Sequence, residues 1–295
     1  MPKLNTTDPS GLIPFVKMHG AGNDFIVMDA RSTDFPLDEV RKSIPELCHR
    51  RTGIGADGIL ALRSAQDCDY VMLYYNADGS EAGMCGNGAR CLARFAVNLG
   101  MPKELQFEVH GQLYRASVHD DYVSIHFPLE SRPAERTIDG EIWYEVHSGT
   151  EHVVSINPDN GKTSNQQLVN VGRTIRNRID LFPRGTNVNF ATALEQNRLQ
   201  LVTYERGVED LTMACGTGAI ATAIAHNQRL SSQRQYERSP TKGTPGIREH
   251  HMQIECPGGP LEVSFEAVDD AAGVLYKNIV LHGPAIAVFE GRFTL

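Results

Sequence analysis

Two short segments of the chain carry the residues best suited to chemistry. Met84-Cys85-Gly86-Asn87-Gly88-Ala89-Arg90 and Ala214-Cys215-Gly216-Thr217-Gly218-Ala219-Ile220 each put a cysteine directly before Gly-x-Gly-Ala. They lie close to half the chain length apart, and an acidic polar stretch precedes each, at 76–81 and 204–210. A cysteine at the start of a helix feels the partial positive charge of unpaired N–H groups, which favours the thiolate and lowers a reference pKa of about 8.5. The glycines let the backbone approach a ligand and aim N–H groups at an anion such as a carboxylate. Each half of the chain thus offers a poised thiol and an anion cradle. The plainer reading, two buried cysteines at glycine-softened helix starts, leaves the duplication unexplained.

Two such thiols, with no metal or cofactor motif beside them, suit stereoinversion at an acidic carbon. A thiolate on one face removes the proton while a thiol on the other face supplies one. The negative charge of the carbanion-like transition state is stabilised by fixed N–H dipoles on the substrate carboxylate. The two sulfurs must hold opposite protonation states, which near-identical environments with pKa values near neutrality permit.

The elements that must position these cysteines are legible in outline. A helix pattern follows each motif. One spans about 86–99, with Leu92, Phe95, Ala96 and Leu99 at three- and four-residue steps and Gly100 and Pro102 as stops. The other spans about 216–228, with Ile220, Ala221, Ile224 and Ala225 on one side. Short alternating segments at 15–18, 25–28, 70–74, 106–109, 114–118, 123–127, 153–156, 199–204, 252–256 and 261–265 read as strands. Many strands with few helices predict an α+β class rather than a doubly wound sheet. Residues 128–138, with Pro128 and Pro133, read as a linker. Residues 228–250, rich in Gln, Arg, Ser and Thr, read as a mobile surface excursion.

Composition bounds the partners. The chain has 295 residues, 41% of them hydrophobic, and a formal net charge of −8. It is long enough to bury a core without staples. No basic block tracks a phosphate backbone, so nucleic acid is not an expected partner. No apolar run approaches the ~20 residues of a membrane helix. The stretch 1–14 lacks a signal-peptide pattern, so a cytoplasmic location is expected. None of the six cysteines forms a C-x-x-C pair, which argues against zinc-ribbon and thioredoxin chemistry.

Taken together, the motifs resemble the diaminopimelate epimerase family, PLP-independent enzymes of lysine and peptidoglycan precursor biosynthesis. The resemblance covers nearly the whole chain. Its anchors are Lys17-Met18-His19-Gly20-Ala21-Gly22-Asn23-Asp24-Phe25, Gly53-Ile54-Gly55-Ala56-Asp57-Gly58, Asn76-Ala77-Asp78-Gly79-Ser80-Glu81 and the first cysteine motif through Cys91. Gly185-Thr186-Asn187-Val188-Asn189-Phe190 and Glu205-Arg206-Gly207 lead to the second motif.

The resemblance implies two pseudo-symmetric domains, each a curled, mainly antiparallel, barrel-like sheet around a central helix, with the active site in the inter-domain cleft. The boundaries expected are 1–130, completed by 284–295, and 131–283. The resemblance implies an isomerase that needs no cofactor and no metal, acts on a small amino-acid substrate and assembles as a homodimer. Cys85 and Cys215 would be the acid/base pair. Gly86, Asn87, Gly216 and Thr217 would bind the reacting α-carboxylate through backbone N–H groups. Asn23, Asn76, Asn187 and Arg206 would hold the rest of the substrate, with the planar fork of Arg206 on the distal carboxylate. Glu205 and His152 would sit beside the α-amino group and the thiols. Cys91 would face the core.

Two departures stand out. Members commonly show Gly-Asn-Pro-His where this chain has Gly149-Thr150-Glu151-His152, and one extra residue separates Glu205 from Cys215. Thr150 therefore stands where an Asn usually helps to read the distal stereocentre. This leaves racemisation of another amino acid, such as histidine, as the alternative. Three rivals from other classes fit less well. A cysteine hydrolase gives no reason for the repeat. A Rossmann dinucleotide binder needs the third glycine that Gly20-x-Gly22 lacks. A catalytically dead binding module would not need both cysteines.

Overall fold

The computed structural model describes residues 11–237 and 247–295. The chain divides into two compact units. The first runs to His126 and takes in His282–Leu295; the second is Phe127–Leu281.

The first unit contains β1 (Ile13–Gly20), β2 (Asn23–Asp29), α1 (Leu37–Cys48), β3 (Gly58–Arg63), β4 (Tyr70–Asn76), β5 (Glu81–Ala82), α2 (Gly86–Asn98), β6 (Glu104–Val109), β7 (Gln112–Val118) and β8 (Val123–Phe127). β1 pairs antiparallel with β2, and β2 parallel with β3. β4 runs antiparallel to β3 and β5 and parallel to β6, which returns antiparallel as β7.

The second unit repeats this plan. It contains β9 (Ala134–Ile138), β10 (Glu141–His147), β11 (Glu151–Ile156), α3 (Asn165–Arg176), β12 (Asn187–Glu195), β13 (Arg198–Glu205), β14 (Asp210–Thr212), α4 (Gly216–Glu237), β15 (Ile247–Cys256), β16 (Gly259–Asp270) and β17 (Gly273–Gly283). β10 pairs antiparallel with β11, β11 parallel with β12, and β13 antiparallel with β12 and β14 but parallel with β15. The terminal β18 (Ile286–Phe293) pairs antiparallel with β1. The duplication seen in two heptapeptides thus extends to whole units, strand for strand and helix for helix.

Each sheet curls around one helix. α2 is buried almost all round from Gly86 to Ala96, save for Arg94, against β1, β2, β3, β4 and β7. α4 packs on β10, β11, β12, β13, β15 and β16, with Ala219, Ile220, Ala221, Ala223, Ile224 and Ala225 fully buried. A helix wrapped by a sheet buries every face, so it needs small and apolar residues around its circumference rather than one stripe. The outer helices differ. α1 buries only Val40, Ile44 and Cys48, at four-residue steps, on Ile26, Met28 and Ile59. α3 buries Leu168, Gly172 and Ile175 against Val188, Phe190 and Tyr204. Gly172 is required there, since a Cβ would stand 2.6 Å from the Tyr204 ring.

Two expectations need correction. Residues 128–138 are not a free linker: Ser131 and Tyr276 exchange two backbone hydrogen bonds, and β9 pairs with β10. Pro133 precedes a strand without interrupting it. The described parts of 228–250, residues 228–237 and 247–250, are not irregular either. α4 continues to Glu237 and β15 begins at Ile247. Two polar side chains at the start of this stretch have partners: Arg229 donates to the Ile156 carbonyl, and Gln228 Oε1 accepts from the Tyr276 hydroxyl. The stretches 1–10 and 238–246, which hold part of the N-terminal and excursion readings, lie outside the described residues. No helix of the described residues is long and apolar enough to cross a membrane.

Candidate active site

Cys85 caps α2 from extended backbone, and its Sγ accepts the Gly88 N–H at 3.4 Å. Cys215 directly precedes α4, and its Sγ accepts the Gly218 N–H, also at 3.4 Å. A sulfur in the cap position takes up one of the N–H groups that a helix start leaves unpaired, and an anionic sulfur does so more strongly. Gly86, Asn87, Gly216 and Thr217 supply the first N–H groups of the two helices. The other buried cysteines are held as thiols. Burial pushes Cys91 up to about 12 and Cys48 up to about 11.

In the first unit, the turn Ala21-Gly22 has positive φ at both residues and delivers Asn23 to the start of β2. Asn23 Nδ2 lies 4.0 Å from Cys85 Sγ. Its Oδ1 is buried with no hydrogen-bond partner. A buried acceptor left in this state is suited to a ligand donor. Gly20 lets this turn close on α2, where a Cβ would stand 3.0 Å from the Asn87 carbonyl oxygen. Asn87 is itself buried and accepts from Arg90 Nη2 at 2.7 Å through Oδ1. Asn76, at the end of β4, donates to Ser80 Oγ at 3.0 Å.

In the second unit, His152 is fully buried on β11. Its Nδ1 meets Asn189 Nδ2 at 3.0 Å, and its Nε2 meets Thr217 Oγ1 at 3.0 Å. Thr217 Oγ1 is in turn 3.5 Å from Cys215 Sγ. Burial, reinforced by the charges of Arg206 and His147 and only partly opposed by Asn189, pushes His152 down to about 3, so the ring is neutral. Ser148 Oγ donates to the Thr217 carbonyl at 2.8 Å.

Arg206 follows β13, and its backbone N–H donates to Asn187 Oδ1 at 2.9 Å. Asn187 Nδ2 donates to the Glu151 carbonyl at 3.0 Å, so this amide braces two strands. The Arg206 guanidinium donates to Thr150 Oγ1 at 2.8 Å, the Arg184 carbonyl at 2.7 Å and Glu151 Oε2 at 3.3 Å. Burial alone would raise the Glu151 pKa. Its own backbone N–H, Arg184 and Arg206 outweigh that and hold the carboxyl below its usual range. Glu205 closes β13 opposite Asp210.

Within each unit the structure therefore gathers most of the expected residues: Asn23 with Cys85, Asn87 at the head of α2, His152 and Thr217 with Cys215, and Thr150 with Arg206. Ser148, Glu151, Arg184 and Asn189 were not singled out by sequence. Asn189 sits in a quoted motif, but a lone Asn on a strand gives no sign of what it faces. Among the described residues, no three His, Cys, Asp or Glu side chains converge as a metal site would require.

The chain is 37% identical to a diaminopimelate epimerase of Flavobacterium psychrophilum, over 93% of this chain and 97% of that protein. It is 35% identical to one of Chlorobaculum tepidum, over 94% and 100%. Its fold is similar to that of a hydroxyproline epimerase from Agrobacterium vitis (TM-score 0.65, 14% identity, 97% and 93% covered). It is also similar to a Bacillus anthracis phenazine biosynthesis protein of the PhzF family (TM-score 0.63, 13% identity, 96% and 99% covered). The family model described as diaminopimelate epimerase matches twice, at residues 15–127 and 144–286, once on each repeat. By these matches over nearly its whole length, the chain belongs to the diaminopimelate epimerase family.

Proposed function

We propose that the chain interconverts LL- and meso-diaminopimelate, with Cys85 and Cys215 as the two acid/base groups and no cofactor. The observation that carries this is the repeated cap: in both units a cysteine sulfur accepts the N–H three residues on, at the head of the helix that its sheet wraps. One sulfur, as thiolate, takes the α-proton; the other, as thiol, returns a proton to the opposite face. Nothing is oxidised or reduced, and the two sulfurs exchange protonation states with each turnover.

In this reading the helix-start N–H groups of Gly86, Asn87, Gly216 and Thr217 bind the α-carboxylate, since a helix start favours an anion. Asn23 Oδ1, a buried acceptor without a partner beside Cys85, suits an ammonium N–H. In the same reading Arg206 takes the distal carboxylate, Asn76 and Asn187 help to hold the rest of the substrate, and Glu205 and His152 serve the α-amino group and the thiols. Racemisation of another amino acid is not favoured, because near-full-length relatives are diaminopimelate epimerases.

The same reading includes a cytoplasmic biosynthetic role and a homodimer. The dimer is supported by β18, which leaves Ile286, Val288 and Phe289 about half exposed. The test is epimerase assay of the purified protein on LL-diaminopimelate after exhaustive chelation and without added PLP. Undiminished turnover supports the reading. Activity that needs PLP or a restored metal contradicts it.

A further inference from the structure

The direction of each hydrogen bond behind Cys215 can be worked out from groups that have no choice. Asn189 Nδ2 lies 3.1 Å from the Val153 carbonyl, which can only accept. This fixes the amide with its NH₂ toward His152 and its Oδ1 toward Thr203 Oγ1, 2.9 Å away. His152 Nδ1 therefore faces a donor at 3.0 Å and must present its lone pair. The proton of the neutral ring is then on Nε2, 3.0 Å from Thr217 Oγ1. Thr217 accepts there, and its own proton turns to its other neighbour, Cys215 Sγ.

The opposite tautomer would let Nε2 accept from Thr217 and from Asn187 Nδ2, which is 3.5 Å away. It would also set an Nδ1 proton against the Asn189 NH₂ at 3.0 Å. Asn187 Nδ2 already has the Glu151 carbonyl, so the shorter Asn189 contact decides. Gly218 makes the arrangement possible: a Cβ there would stand 2.6 Å from Asn189 Oδ1 and 3.0 Å from Thr203 Oγ1.

We propose that Asn189 is a positioning residue that locks His152 as its Nε2–H tautomer, so that the Thr217 hydroxyl directs its proton at the Cys215 sulfur. A donor aimed at a sulfur stabilises thiolate over thiol. Cys215 then has two donors in its thiolate form, the Gly218 N–H and the Thr217 hydroxyl. The proposal rests on the assignment of Cys215 as an acid/base thiol, but its structural part stands apart from activity.

The test has two arms. In the first, the full-length protein labelled with ¹⁵N-histidine is observed by NMR without substrate near pH 7. His152 is expected as neutral Nε2–H; an Nδ1–H tautomer or an imidazolium overturns the proposal. In Asn189→Leu the single tautomer should give way to a mixture, and an unchanged pure Nε2–H form overturns Asn189 as the lock. The wild-type spectrum decides the tautomer even if that variant does not fold.

In the second arm, Thr217→Val should lower kcat about tenfold with KM little changed, because the backbone N–H remains. Thr217→Ser should restore kcat, since it keeps the hydroxyl. A valine variant as fast as wild type, or a serine variant as slow as valine, contradicts the proposal. If wild type shows no epimerase activity, the functional reading fails while the first arm still decides the tautomer.

Discussion

Thr150 Oγ1 accepts from Arg206 Nη2 at 2.8 Å while it faces Glu151 Oε2 at 3.4 Å. The residue that departs from the usual family motif is thus part of the support for the guanidinium expected to clamp the distal carboxylate. A hydroxyl here fixes the Arg206 fork without presenting a carboxamide of its own. Arg206→Ala should raise KM for LL-diaminopimelate by roughly 10- to 100-fold, from the loss of a charge-assisted contact of about 1.5–3 kcal/mol. Thr150→Ala should raise it only several-fold. Steady-state kinetics check both; an Arg206→Ala enzyme with unchanged KM contradicts the clamp.

The equivalent glycines Gly88 and Gly218 should not be equally sensitive. A Cβ at Gly88 meets Leu60 Cδ2 at 3.0 Å, the end of a flexible side chain. A Cβ at Gly218 meets the braced Asn189 and Thr203 oxygens. Gly218→Ala is expected to cost about 1–3 kcal/mol of stability, as overpacking does, and at least tenfold in kcat. Gly88→Ala should cost less of both. Denaturant midpoints and kcat measured side by side test the ordering, and equal losses would show that the Asn189 brace is not special.

The buried, neutral His152 makes stability depend on pH. Its folded pKa, about 3, lies below the unfolded value near 6.5, so below about 6.5 the unfolded chain binds a proton that the folded chain refuses. Stability should therefore fall as pH drops from about 6.5 toward about 3. His226, pushed down chiefly by burial, adds a slope of the same sign. Urea melts at pH 7.5 and pH 5 should show a smaller loss for His152→Gln than for wild type. Equal losses would mean that His152 titrates in the folded protein.

The cysteines should separate by environment. Cys91 and Cys48, buried and pushed up to about 12 and about 11, are expected to resist iodoacetamide near neutral pH. Cys85, partly exposed at a helix cap, should be alkylated with loss of activity, and substrate should protect it. Peptide mapping of partially inactivated enzyme checks this, and inactivation that tracks modification of Cys68 or Cys256 alone would count against it.

The two cysteine motifs were more legible in the sequence than the scaffold around them. The cysteine motifs announce themselves by repetition, and the central helices by dense small and apolar residues. α1 and α3 escaped because each buries so little: Val40, Ile44 and Cys48 in one, with Pro45 interrupting the pattern, and a glycine among three buried positions in the other. The extension of α4 escaped because its polar side chains look solvated in sequence, yet Arg229 is tied to the Ile156 carbonyl on β11. Asn189 escaped for a different reason. Its role depends on the parallel register of β11 and β12, which sets Val154 beside Asn189 and His152 beside Asn187. No spacing within one segment encodes that register.

The central claim, proton removal and return by two different thiols, is tested most directly by the early time course in heavy water with protiated LL-diaminopimelate. The resting acid thiol carries a solvent-derived deuteron, so the first meso product should hold deuterium at the inverted carbon while recovered LL substrate remains protiated. Replacing either Cys85 or Cys215 by serine should abolish or severely slow the inversion. First-turnover meso product that retains its original proton at the inverted carbon would show one group serving both faces, and would contradict the account.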